Sequence, residues 1–145
     1  MLRTHKSDLE WSLKLNVPIP EKVFDRKFNP KSVSNINLII SYTRAKIVVT
    51  STWRTQFTLQ QLKDIFRSNG IDGEVVDKTS IGLTRGEEIQ EWIDYHGVES
   101  YIVIDDQVKD ILPYVDNNKV IKCNHSIGFE DDELLDKALD ILLDS

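Results

Sequence analysis

Apolar residues follow two patterns that alternate along the chain. Lys46-Ile47-Val48-Val49-Thr50, Tyr101-Ile102-Val103-Ile104 and Lys119-Val120-Ile121-Lys122 are short unbroken runs rich in β-branched side chains. A strand apolar on both faces must be covered on both faces, which predicts a buried parallel sheet. Between these runs, apolar residues recur three and four positions apart, the period of a helix face. Asn29-Pro30 reads as an N-cap with proline at the first helical position, followed by a stripe of Val33, Ile36 and Ile40 with Ile39 beside it. Thr58 caps a second helix with Leu59, Leu62, Ile65 and Phe66 on one face, stopped by Asn69-Gly70. Glu74-Val75-Val76 is a brief strand. Thr84 and Glu87 have capping-box spacing and open a helix with Ile89, Trp92, Ile93 and His96 on one face, closed by Gly97. Leu134, Leu135, Ala138, Leu139 and Leu142 make the last helix amphipathic. The least regular part is residues 1–29, where Asp8 to Leu15 predicts a short helix and Val17-Pro18-Ile19-Pro20 is held extended by its prolines. Strands alternating with helices predict one α/β domain over residues 1–145: an irregular, cap-like segment (1–29), then a three-layer α/β/α core (30–145).

Composition narrows the partners. The formal net charge is −6, so a broad basic surface is not expected and any nucleic-acid contact would be local, at an end or a phosphate. Cys123 is the one cysteine, which excludes a disulfide framework and a Cys-rich zinc site. Met1-Leu2-Arg3-Thr4-His5-Lys6 has no apolar signal region, and no run approaches a membrane span. A cytoplasmic protein with no membrane partner is the expectation.

In open α/β sheets the working groups lie at the carboxyl ends of strands. That rule points to Ser51-Thr52-Trp53-Arg54, to Asp105-Asp106 and to the residues after Lys122. Two adjacent carboxylates repel each other and lose solvation, and Mg²⁺ would relieve both; the alternative is a turn or cap opening at Gln107. Ser51 and Thr52 bring hydroxyls to a helix start, either as a phosphate cradle or as simple caps. Arg54 either pairs with phosphate or is solvated beside a core Trp53. Arg85 sits in a first helical turn, against the helix dipole, which hints at an anionic target.

Other residues have ordinary readings. His5, His96 and His125 lack metal-ligand spacing; His96 fits the buried helix face, and Asn124 and His125 are placed to reach the strand-end crevice. Asp77-Lys78-Thr79 is similar to the phosphorylation motif of P-type pumps but reads as a loop before Gly82. Cys123 reads as core filling.

Taken in order, the strand ending at Ser51-Thr52, the basic residue of Arg85-Gly86-Glu87-Glu88-Ile89 and the strand ending at Asp105-Asp106 resemble motifs II, III and IV of haloacid-dehalogenase (HAD) phosphohydrolases. More narrowly, Val48 to Arg54, Arg85-Gly86 with Glu88-Ile89 and Trp92, and Tyr101 to Asp106 resemble the small HAD domains associated with bacterial RNA-repair proteins, from about Phe28 onward. The resemblance implies hydrolysis of a phosphomonoester through an aspartyl-phosphate, on a phosphorylated small molecule or a nucleic-acid end. It implies phosphate contacts from Ser51, Thr52, Arg54 and Arg85, and Mg²⁺ at Asp105 and Asp106. The family's motif I, Asp-x-Asp-Gly, supplies the nucleophile and is not in the sequence. Met1-Leu2-Arg3-Thr4 looks like its continuation, so the expectation is a chain that begins one strand late and is inactive as it stands. The alternative is a non-catalytic HAD-like module that binds a ligand or partner.

In that fold the first strand lies between those ending at Thr50 and Ile104. Without it, unpaired backbone groups cost about 1–3 kcal/mol each, against a typical domain stability of roughly 5–15 kcal/mol. Four remedies are open: a segment of residues 2–29, added tag residues, a strand exchanged with a second subunit in a homodimer through these central edges, or direct pairing of the two flanking strands.

Overall fold

Asn29 starts the first described helix: its Oδ1 accepts from the N–H groups of Lys31 and Ser32, and Pro30 occupies the position that needs no donor. In the computed structural model the described residues are 28–51, 53–124, 126 and 128–143. The helix expected over Asp8 to Leu15, the extended prolines and the sites at Thr52 and His125 lie outside them. Helix α1 runs Pro30–Thr43 and ends where Arg44 turns left-handed, with its N–H on the Ile40 carbonyl. It leads into β1, Ile47–Val49. A single turn, α2 (Trp53–Gln56), follows, and then α3 (Leu59–Ser68), opened by a full capping box between Thr58 and Gln61. Strand β2 (Val75–Lys78) precedes α4 (Arg85–His96), which Thr84 caps and Gly97 ends in the left-handed conformation. Strand β3 (Val103–Asp105), a 3₁₀ turn (Asn117–Lys119), β4 (Val120–Lys122) and α5 (Asp132–Leu143) complete the order.

The strands form two parallel pairs. β1 pairs with β2 (Ile47 opposite Val75, Val48 opposite Asp77), and β3 pairs with β4 (Val103 opposite Val120, Ile104 opposite Ile121). β1 and β3 do not pair, which excludes the remedy of direct closure. Between them runs an apolar slot of about 450 Å³, whose walls include Ile47 and Val48 on one side, Ile102 and Ile104 on the other, and Ile40 and Trp92 from the helices. Ile47, Val48, Ile102 and Ile104 are consequently half-buried, where a covered parallel sheet predicts full burial.

Two apolar clusters hold the layers. One joins α1, α3 and α5 through Ile36, Leu62, Ile65, Leu135 and the wholly buried Phe129; the other gathers Ile89, Ile93, Val103 and Ile111 around α4. Ser32 and Asn35 are polar residues on the buried face of α1, and both hold the loop before α5. The Phe129 N–H donates to Ser32 Oγ at 2.8 Å, and Asn35 Nδ2 donates to the Phe129 carbonyl at 2.8 Å. Phe28 stacks on Trp53 and meets Phe66 edge-on, which puts the entry to α1 at the carboxyl end of β1.

Two expectations need correction. His96 is exposed: the apolar arc of α4 ends at Trp92, and the imidazole stacks on the outside of that indole with centroids 4.1 Å apart. Asp77 is not in a loop but in β2, because pairing with Val48 carries the strand past Val76. Its carboxylate accepts from Trp92 Nε1 at 2.7 Å, and that hydrogen bond holds its pKa below the ordinary aspartate value. A depressed acid stabilises the fold above its unfolded pKa, and this contribution fades as pH falls through the folded value. Trp92→Phe removes the donor, so an NMR titration of Asp77 should midpoint higher in the variant than in the parent.

Candidate functional site

Arg54 organises the tip of β1. It is buried, and its guanidinium donates to the carbonyls of Thr50 (3.0 Å), Ser51 (2.9 Å) and Ser80 (3.3 Å) and to Glu88 Oε1 (2.5 Å). Glu88 is 1% exposed, and its other oxygen takes the Leu83 N–H at 3.4 Å. Lys78 closes the far side of α2, donating to the carbonyls of Arg54 and Phe57, both at 3.1 Å. The loop after β1 is thus clamped to the first turn of α4 by a buried ion pair.

The same turn reaches β3. Arg85 Nη1 lies 2.9 Å from Asp105 Oδ2, while Asp105 Oδ1 accepts the Gln107 N–H at 3.0 Å. Burial pushes the Asp105 carboxyl above the ordinary aspartate range; neighbouring Asp106 adds to this, and Gln107 N–H and Arg85 oppose it. One helical turn, Arg85 to Glu88, therefore ties the tips of β1 and β3 together. Beside it lies a crevice of about 770 Å³ whose walls include Arg54, Arg85, Asp106, Lys109 and Lys122.

The predicted residues are placed as follows. Ser51 and Arg54 are joined directly, Arg85 and Asp105 are joined directly, and Asp106 lines the crevice. Arg54 is committed to protein acceptors, neither solvated nor standing free toward a ligand. Asn124 forms an isolated bridge with Gly128 beyond β4. Cys123 is buried as expected, its N–H on the Asp105 carbonyl and its thiol pushed by burial to about 11. Glu88, Lys109 and Lys122 were not foreseen as site residues. A signal for Glu88 existed, since an acid directly before Ile89 on the apolar side of a helix needs a buried partner. Gly86 carried no predicted role, yet its N–H donates to the Asp110 carbonyl at 3.1 Å and there is no room there for a side chain.

Among the described residues no three His, Cys, Asp or Glu groups gather to hold a metal. The donor set still suits Mg²⁺, which takes one or two carboxylates and fills its remaining positions with water and phosphate oxygens. Asp106 on the crevice wall, with Asp105 behind it, is that set.

The model of the HAD domain in Swiss Army Knife RNA repair proteins matches residues 4–134. The chain belongs to this family. Its parallel strand pairs and flanking helices are those of an α/β HAD domain. No curated protein and no solved structure matches the chain. Among the described residues of this HAD domain, no helix is long and apolar enough to cross a membrane.

Proposed function

We propose that the crevice beside the first turn of α4 binds the phosphoryl group of a phosphate ester, with Mg²⁺ held at Asp106 and Asp105. The observation that carries this reading is the Arg85–Asp105 pair at 2.9 Å, which ties the Arg85 cation on the crevice wall to the buried carboxylate that directly precedes the crevice-lining Asp106. Arg85 offsets the charge of a phosphoryl oxygen and fixes the orientation of Asp105. Ser51 donates to the phosphoryl group from the tip of β1, and Arg54 positions that tip without touching the ligand. Mg²⁺, when bound, stabilises charge on the phosphoryl oxygens. None of these residues is a nucleophile for phosphoryl transfer. Hydrolysis through an aspartyl-phosphate needs the Asp-x-Asp-Gly strand, so this set of side chains supplies binding without turnover.

The test is a chain extended before Met1 by an apolar strand ending in Asp-x-Asp-Gly, assayed with p-nitrophenyl phosphate and Mg²⁺. Turnover is expected, and Arg85→Ala and Asp106→Asn should each lower it about tenfold or more, as loss of groups that orient a metal site does. A folded but inert extended chain that still binds inorganic phosphate would favour the second reading, a non-catalytic binding domain. Inertness without phosphate binding would remove both.

A further inference from the structure

Beyond the seat assigned to the phosphoryl group, the crevice continues toward β4. Lys122 lies opposite Asp105 in the β3–β4 ladder, so it stands one strand spacing, about 4.8 Å, farther from the β1 tip than Asp105 does. Its neighbours Ile121 and Cys123 are buried, and strand alternation turns the Lys122 side chain to the other, exposed side, where it lines the crevice. Lys109 reaches the same crevice from the loop after β3. That loop is pinned on either side of it. The Val108 carbonyl accepts the Ile111 N–H at 2.9 Å, the Asp110 carbonyl accepts the Gly86 N–H at 3.1 Å, and Ile111 is wholly buried. Both lysines are exposed, and among the described residues neither makes a hydrogen bond or an ion pair, even with Asp110 on the same wall. Lys78 and Lys119, by contrast, spend their amines on protein carbonyls.

We propose that Lys109 and Lys122 form a second anion subsite, which takes a further phosphoryl group on the alcohol side of the ester. The inference rests on the phosphate reading of the crevice and names its substrate class, a small bisphosphate. Two amines fixed by their backbones on one wall offer two positive charges with no protein acid to displace. Lysine binds phosphate as a point charge with three rotatable donors, so it accepts a range of approach angles. Two such charges match a phosphate dianion, whereas a carboxylate or a phosphodiester brings one. Low-dielectric cleft walls concentrate the field, which makes these lysines count for more than the same residues on an open helix face. The crevice, about 770 Å³, has room for a short linker and a second group beside the first.

The full chain, with Mg²⁺, would be titrated calorimetrically with the monophosphate and the bisphosphate of butanediol. The bisphosphate should bind about tenfold more tightly or better, as charge-assisted hydrogen bonds imply. Methylating its second phosphate, which leaves one charge there, should lose most of that preference. Lys109→Ala with Lys122→Ala should bring the ratio of the two affinities close to one. Lys63→Ala with Lys137→Ala, on α3 and α5, changes the net charge equally and should keep the preference. A parent that binds both esters equally, or a preference that survives the loss of Lys109 and Lys122, would overturn the inference and leave the phosphate reading standing. Equal loss in the Lys63 and Lys137 variant would also overturn it, by assigning the preference to overall charge. Failure of both esters to bind would remove the phosphate reading together with the inference.

Discussion

Arg54→Met should destabilise the domain by about 3–5 kcal/mol, the usual consequence of leaving one member of a buried ion pair without its partner. Methionine keeps most of the length and apolar bulk of the arginine stem, so lost packing contributes little. What remains is the Glu88 carboxylate, 1% exposed, its second oxygen taking the Leu83 N–H among the described residues. The carbonyls of Thr50, Ser51 and Ser80 lose their guanidinium donors at the same time. Urea denaturation at neutral pH should show the loss as a lower midpoint with little change in slope. Adding Glu88→Gln removes the stranded charge and should recover a large part of the loss, though the three carbonyls stay unserved. A single variant within about 1 kcal/mol of the parent would show that the pair is no more than a surface interaction.

Gly86→Ala should also be costly, by about 1–3 kcal/mol, although alanine in place of glycine inside a helix ordinarily stabilises it by up to about 1 kcal/mol. The reason is space. A Cβ on Gly86 would run into the backbone carbonyl of Asp110 and lie 2.9 Å from Ile111 Cα, and Ile111 is wholly buried. Backbone cannot swing aside as a side chain can. The helix start must retreat instead, breaking the Gly86 N–H bond to Asp110 and drawing Arg85 away from Asp105. Thermal unfolding should fall, and the Arg85–Asp105 pair should loosen. A stabilised Gly86→Ala protein would mean that the Asp110 loop yields easily and that the close approach has no bearing on the site.

Helix starts were legible in the sequence because the side chains that make them are local. Asn29, Thr58 and Thr84 each accept from backbone N–H groups two or three positions ahead, as their spacing implied. The apolar strands were legible for the same reason, whereas the pairing of Arg85 with Asp105, 20 positions away, was not foreseen. What stayed hidden depends on partners far along the chain. Nothing near Arg54 reveals that its charge is taken up by Glu88, 34 positions later. The periodicity of α4 could not show where the apolar arc stops, and so His96 was placed inside when it lies outside Trp92. The single turn of α2 has no apolar stripe to betray it; Lys78, from a strand 21 to 24 residues away, holds the Arg54 carbonyl within it and the Phe57 carbonyl just after it.

The clamp on the β1 tip has an electrical consequence. A trans peptide unit is flat, so its C=O and N–H point in opposite directions. Arg54 draws the Thr50 oxygen toward itself, and the amide hydrogen of the next residue, Ser51, must then face the other way. The guanidinium thereby orients a dipole, presenting its positive end on the side where arginine itself is absent. Positive polarity at this strand end comes partly from a side chain whose own hydrogen bonds go to protein acceptors.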